Sequence, residues 1–238
     1  MFDEFDIILY ICYKIIMIDL TNYDWGPFNE IGKQISIDEA QRGVYENFYT
    51  VNENDIVVDI GASVGIFTYS ILHKRPKHVF CLEPSKTEFP YLVKNTIGYP
   101  VTQINKAIST GNGMTNDSSA DIYFYDGLFE TITFKSFLEL YNINHINFLK
   151  TDCEGGEYDI FTEENIDFLK NNVDHIVGEW YLSNHIQKAK FRHFRDNYLK
   201  KFKNVNVISV DGIDIKWDLW NNHFIEYYKQ VMIHISNK

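Results

Sequence analysis

Cysteine, proline and positive charge are all in short supply in this chain. The three cysteines among 238 residues, Cys12, Cys81 and Cys153, are odd in number, widely spaced and form no C-x-x-C pair. That excludes a disulfide framework and a cysteine zinc site. Reduced thiols in a cytosol-like compartment are the expectation, with Cys81 a small buried hydrophobe in an apolar strand-like run. Five prolines, with no Pro- or Ser-rich stretch and no internal repeat, leave no sign of a linker between domains. Lys and Arg number 22 against 33 Asp and Glu, a net charge of −11. So acidic a surface repels a polyanion unless its bases gather on one face, so nucleic acid is not an expected partner. No apolar run is long enough to cross a membrane: IILYICYKIIMI (7–18) is too short and is interrupted by Lys14. The MFDEFD ahead of it is acidic where a secretory signal is basic. That run is expected to be a core or partner-facing element, with Met17 an alternative start. The protein is expected to be cytoplasmic, without stable membrane insertion.

What is present is a well-supplied core. Hydrophobic residues make up 45% and aromatics 16%, in a length that suits one domain with a modest extension. From residue 55 onward strand-like runs alternate with helical patterns. DIVVDI (55–60), HVFCLE (78–83), VTQIN (101–105), INFLKTD (146–152) and HIVGEWY read as five main strands, with VNVISV (205–210) and QVMIHIS (230–236) closing the chain. ADIYFYD (120–126) reads as a short extra strand and GNGMTNDSS (111–119) as an exposed loop. Helical spacing marks GIFTYSILHK (65–74), a segment from near Lys86, TFKSFLELYNI (133–143), EENIDFLKNN (163–172) and HIQKAKFRHFRDNYLKKFK (185–203). Such alternation implies an α/β domain with a mainly parallel sheet covered on both faces, over residues 51–238, preceded by an extension or cap over 1–50.

In open parallel sheets a ligand binds beyond the carboxyl ends of the strands. The first loop there is Asp59-Ile-Gly61-Ala-Ser-Val-Gly65. A dinucleotide fingerprint would place glycine where Ser63 stands, and Asp59 would repel a pyrophosphate. Glu83 ends the second strand, 18 residues past Gly65, near the distance at which an acid accepts both hydroxyls of a ribose. A ligand with a ribose, no phosphate and a cationic amino-acid tail is S-adenosylmethionine, with Asp59 facing its ammonium end. The plainer alternative is that Asp59 caps a helix and the glycines only turn the chain.

Three blocks, VVDIGASVGIFTYSIL (57–72), LEPSKTEFPYLVKN (82–95) and FLKTDCEGGEYDIF (148–161), resemble the FkbM-type S-adenosylmethionine-dependent methyltransferases, with Ser63 in place of that family's usual Asn. The resemblance implies a class I methyltransferase fold: a seven-stranded, mostly parallel, Rossmann-like sheet with helices on both faces, and QVMIHIS as its antiparallel strand. It also implies O-methylation of a hydroxyl on a sugar or a polyketide-type metabolite. Carried over residue by residue, Asp59, Gly61, Ala62, Ser63 and Gly65 would line the methionine half and Glu83 would hold the ribose. Pro84 and Ser85 would sit beside the adenosine, Asn105, Lys106 and Ala107 would meet the adenine edge, and Asp152 and Glu154 would face the reacting methyl group.

A hydroxyl acceptor must lose its proton, and a positioned base typically contributes 10²–10⁴-fold. His185, leaving the fifth strand in GEWYLSNH (178–185), is assigned proton removal, with Asp152 and Glu154 positioning the acceptor. Its plain alternative is a loop or cap histidine. Glu157 is read as structural, favouring the start of the following helix. A rival arrangement has Asp152 and Glu154 hold Mg²⁺ against a vicinal diol; no third oxygen ligand stands out, and the metal is not favoured. The expected partner is a small-molecule or glycan acceptor. The competing functions are a nicotinamide-dependent oxidoreductase and a non-catalytic binding module on the same fold. KAKFRHFRDNYLKKFK reads as an outer helix with a solvated basic side, or else as a surface attracting a phosphate-bearing acceptor. IKWDLWNNHF, with Trp217 and Trp220, reads as a terminal segment docked on the sheet, or as a sugar platform.

Overall fold

The computed structural model describes residues 18–115 and 128–238. Four short runs of β-branched and aromatic residues form parallel neighbours: β1 (Ile56–Ile60), β2 (His78–Leu82), β3 (Val101–Ile104) and, further along the chain, β7 (Ile146–Thr151). Between β3 and β7 lie three small strands, β4 (Ala107–Ile108), β5 (Gly113–Thr115) and β6 (Phe129–Ile132), which form a separate sheet in the order β4-β6-β5. β8 (Val173–Tyr181), β9 (Asn204–Ser209) and β10 (Gln230–Ser236) complete the main sheet, whose order is β3-β2-β1-β7-β8-β10-β9. β10 runs antiparallel to both its neighbours, so its first residue, Gln230, sits opposite Tyr181 at the end of β8. That reversal brings a residue from the end of the chain to the rim where the parallel strands finish.

β1 and β7 are buried along nearly their whole length, as strands covered on both faces must be. One face carries α2 (Ile66–Ile71) and α3 (Phe89–Thr96), with Phe67, Ile71 and Leu92 packed on Val57, Val79, Cys81 and Phe148. The other carries α4 (Phe134–Leu140), α5 (Ile166–Asn171) and α6 (His185–Asn197). There Phe194 stacks on Trp180 at 3.9 Å and 10°, a pair worth roughly 1 kcal/mol beyond its area. Phe191, Phe194, Tyr198 and Phe202 are all buried, while Lys188 and Lys201 pair outward with Glu226 and Glu163. The outer-helix reading of the basic stretch therefore fits the packing. Trp217 and Trp220 stay largely exposed, and it is Leu219, Phe224 and Ile225 that dock that segment.

From residue 18 the extension sits on the rim where the parallel strands finish. α1 (Glu30–Arg42) starts at Asn29, whose Oδ1 accepts from Gly32 N–H at 2.8 Å, and stops at Gly43 in the left-handed conformation. Before it, the Tyr23 hydroxyl donates to the carbonyl of Val64 at 2.8 Å, and Asn95 Nδ2 donates to the same carbonyl and to that of Asp24, both at 2.9 Å. Some expectations differ from the structure: EENIDFLKNN is α-helical only over Ile166–Asn171, and the basic helix ends at Asn197 before a 3₁₀ turn (Leu199–Lys201). GNGMTNDSS is not all loop, because Gly113–Thr115 pairs antiparallel with Phe129–Thr131, a strand the sequence reading lacks. The helical TFKSFLELYNI is shorter, stopping at Leu140 before Asn142 turns left-handed. The strand expected over ADIYFYD and the apolar run at 7–18 lie outside the described residues, apart from Ile18. Among the described residues no helix is long and apolar enough to cross a membrane.

Candidate active site

The carboxyl ends of β1, β2, β7 and β8 open onto a cavity of ≈ 370 Å³, closed from the side by α1 and the turn after it. The glycine loop forms its floor. Gly61 is left-handed (φ +77°), and a Cβ there would lie 1.9 Å from the Asp152 carbonyl oxygen, so only glycine lets β1 and β7 end this close together. Gly65 (φ +92°) admits Leu92 of α3, whose Cδ1 would be 2.8 Å from a Cβ. Ser63 is also left-handed at φ +51°, a backbone that Asn adopts more readily than Ser.

Glu83 is buried beside this loop. Its two carboxylate oxygens accept from the N–H groups of Ser63 at 2.8 Å and Ser85 at 2.7 Å. Burial, reinforced by Glu88, pushes Glu83 up to about 8, although those amides pull the other way. The second acidic block turns sharply after β7. Glu154 (φ +54°) and Gly155 (φ +107°) are both left-handed, and Glu157 reaches back to accept from Cys153 N–H at 2.6 Å and Gly155 N–H at 2.9 Å. Glu157 is a structural clamp, but on a loop rather than at a helix start, because only a single 3₁₀ turn (Glu157–Asp159) follows. Asp152 faces the cavity and accepts from the Tyr45 hydroxyl at 2.7 Å through Oδ2.

Of the residues expected to form the site, Gly61, Ala62, Ser63, Glu83, Ser85, Asp152 and Glu154 line the cavity together. The others stand elsewhere. Asp59 does not line the cavity: it is fully buried beneath the loop, accepts from the Thr68 hydroxyl at 2.8 Å and lies 3.0 Å from Lys150 Nζ. A carboxylate with no access to water needs a buried cation, and Lys150 supplies it. Gly65 and Pro84 flank the cavity without lining it. Asn105 supports the loop from behind, donating through Nδ2 to the carbonyls of Glu83 (2.8 Å) and Pro84 (3.2 Å). Lys106 pairs with Glu130 on the small sheet, and Ala107 belongs to β4, so neither lies on the cavity wall. His185 is exposed at the first turn of α6, after the N-cap Asn184, and is not part of the lining.

Sequence reasoning missed several residues of this wall, and four of them bear on the chemistry. Lys150 is almost fully buried, donates to the Gly61 carbonyl at 2.8 Å and stands 3.9 Å from Asp152 Oδ2. Burial alone would lower it, but Asp59 and Asp152 outweigh that and hold it above the ordinary lysine range. Glu179 lies inside β8, where its Oε2 accepts from the Tyr181 hydroxyl at 2.8 Å and Gln230 Nε2 at 2.7 Å. Burial, then Asp152, pushes Glu179 up to about 8. Glu39, on α1, is pushed up to about 7 by burial and then by Asp152. Tyr45 follows α1 in the turn Val44–Glu46. The signal for Glu179 was an acid inside the apolar run HIVGEWY, a placement that calls for a reason. Nothing local marked Glu39 or Tyr45. Among the described residues no three His, Cys, Asp or Glu side chains are grouped as a metal site.

The sheet order, the antiparallel β10 and a ligand cavity at the first glycine loop define a class I methyltransferase fold. The profile of the methyltransferase FkbM domain matches residues 59–205, more than half of the chain, and the protein belongs to that family. Membership of a methyltransferase family with this fold implies use of S-adenosylmethionine. No curated protein matches the sequence. Among solved structures the chain is similar to precorrin-6y C5,15-methyltransferase from Geobacter metallireducens, at 12% identity over 95% of this chain and 99% of that one, with a TM-score of 0.47. It is also similar to an rRNA methylase from Streptococcus thermophilus, at 10% identity over 88% and 97%, with a TM-score of 0.46. At such scores neither likeness bears on substrate or mechanism.

Proposed function

We propose that the protein is an O-methyltransferase that transfers a methyl group from S-adenosylmethionine to a hydroxyl of a carbohydrate or glycosylated metabolite. The observation that carries this reading is the acidic lining of the cavity, whose held protons a cationic ligand would displace. Glu39, Glu83, Glu88, Asp152, Glu154 and Glu179 line it, and the one basic lining residue among the described residues, Lys150, is spent on Asp59 and the Gly61 carbonyl. Such a wall complements a cationic, phosphate-free nucleoside and opposes a pyrophosphate, which disfavours the nicotinamide reading. A polyanionic acceptor such as RNA would meet the same carboxylates.

When bound, the cofactor supplies an activated methyl group. Glu83, held by two amides, accepts ribose hydroxyls, and the loop 61–63 brings its backbone against the nucleoside. Asp152 and Glu154 orient the acceptor hydroxyl, whose proton passes to Glu179, a carboxylate raised into the range where a base works near neutral pH. A polyol suits a wall of hydrogen-bond acceptors completed by Ser36, Ser85 and Gln230. This chemistry asks nothing of Mg²⁺, and EDTA should leave it unchanged. The free thiols of Cys81 and Cys153 fit a reducing, cytoplasmic setting.

Calorimetry with S-adenosylhomocysteine and with NADH, followed by a labelled-methyl assay over a sugar panel, tests the reading. Uptake of the first nucleoside and label in a sugar hydroxyl are expected. Tight NADH binding with no heat from the homocysteine compound would overturn it.

A further inference from the structure

Tyr45 lies ahead of the residues the methyltransferase family profile covers, 59–205, yet it touches the site. Its ring is buried edge-on against Phe67 at 5.4 Å, and its hydroxyl donates to Asp152 Oδ2 at 2.7 Å. Burial, with Asp152 next to it, holds the phenol far above its ordinary range, so it stays protonated and donates at every working pH. Lys150 Nζ approaches the same oxygen to 3.9 Å and lies 5.2 Å from the centre of the Tyr45 ring. Oδ2 is thus fastened from two sides, and with it the plane of the carboxylate.

The segment that carries Tyr45 is itself anchored. The neighbouring Glu46 is buried; it pairs with Lys74 at 2.5 Å and accepts from Val51 N–H at 2.7 Å. Gly43, left-handed, ends α1 two residues earlier and sets the chain's entry into this turn. A tyrosine held in this way is built to hold something else.

We propose that Tyr45 is a positioning residue for methyl transfer: through its hydroxyl it fixes the Asp152 carboxylate against the acceptor, so the segment ahead of the family core completes the active site. The proposal rests on the functional reading above, in which Asp152 orients the acceptor. It implies that the extension is part of the catalytic unit and not merely a cover.

The conservative variant Tyr45→Phe keeps the ring on Phe67 and removes only the donor. Loosening a positioned group by a fraction of an ångström to one ångström costs up to about 100-fold. The expected result is a kcat lowered about 10- to 100-fold, with S-adenosylhomocysteine affinity kept within about twofold, because the nucleoside is held by Glu83 and the loop. A merely structural tyrosine would instead lower cofactor affinity and stability together. A second measurement needs no turnover: thermal unfolding of the ligand-free wild type, Tyr45→Phe, Asp152→Asn and the double variant. Contacting residues are non-additive, and a coupling of about 2–4 °C in Tm is expected. Wild-type kcat in Tyr45→Phe, or additive Tm changes, would overturn the positioning role alone. Wild-type protein that binds no S-adenosylhomocysteine and methylates nothing would overturn the functional reading, and the positioning role would fall with it.

Discussion

Replacing Glu179 by Gln removes the proposed base and keeps its shape, and the structure fixes what should follow. With a carboxyl at about 8, only about one tenth of the molecules carry the base at pH 7 and half at pH 8. Wild-type kcat/KM should therefore climb roughly tenfold from pH 7 to a plateau above pH 9. The Gln variant should lose about 10²–10⁴-fold at the plateau, the range of a positioned base, and should lose the climb. Stability supplies an independent reading. In the unfolded chain Glu179 titrates near 4.5, and in the folded chain near 8. Between those values the native state holds a proton that the unfolded state has released, so stability falls as pH rises across that window, by roughly 1 kcal/mol per pH unit. Gln does not titrate. The variant should gain on the wild type by several kcal/mol between pH 5 and pH 9, which opens a Tm gap of about 10 °C in a chain of this size. Glu83 and Glu157 are raised in the same direction and titrate in both proteins, so they largely cancel; Glu39, whose charge acts on Glu179, shifts with it, and the difference reads the two together. Initial rates over pH 6–9.5 and melting curves over pH 5–9 measure both effects. A pH-independent wild-type rate, or parallel Tm curves for the two proteins, would refute the assignment.

Gly61→Ala puts a methyl group 1.9 Å from the Asp152 carbonyl on a left-handed backbone; calorimetry should show S-adenosylhomocysteine affinity reduced at least about 30-fold, with a lowered Tm. Lys150→Met strands the buried Asp59 without its cation, a loss of about 3–5 kcal/mol, which melting should record as a fall of about 10 °C. His185→Ala, at an exposed position off the cavity, should keep kcat within about twofold; a hundredfold loss would return the base to His185.

The main strands and the glycine loop were legible because their signals are local. A strand buried on both faces reads as a mostly apolar run, and β1, β2, β7 and β8 all did despite the polar residues within them. Gly61 and Glu83 stand at separations set by one strand–loop–helix unit. What the sequence withheld is either long-range or indirect. Asp59 looked like a ligand residue because it sits at the loop's mouth, and only the packing shows that it points down to Lys150, 91 residues later. Tyr45 and Glu39 reach the cavity because the extension folds back over the rim, which no periodicity within 1–50 could announce. His185 stands off the cavity for a geometric reason: after Tyr181 the chain leaves the rim, and Asn184 starts a helix whose first side chain is turned to solvent.

Lys150 also has a bearing on how relatives of this protein can diverge. It joins the first motif block to the third, touching Asp59 and the Gly61 carbonyl on one strand and lying within 4 Å of Asp152 on the next. A lineage that exchanges the acid at position 59 for a neutral residue is left with a stranded ammonium, and one that exchanges the lysine is left with a stranded carboxylate. Drift at these two positions has to be concerted, so across homologous chains they should change together or not at all.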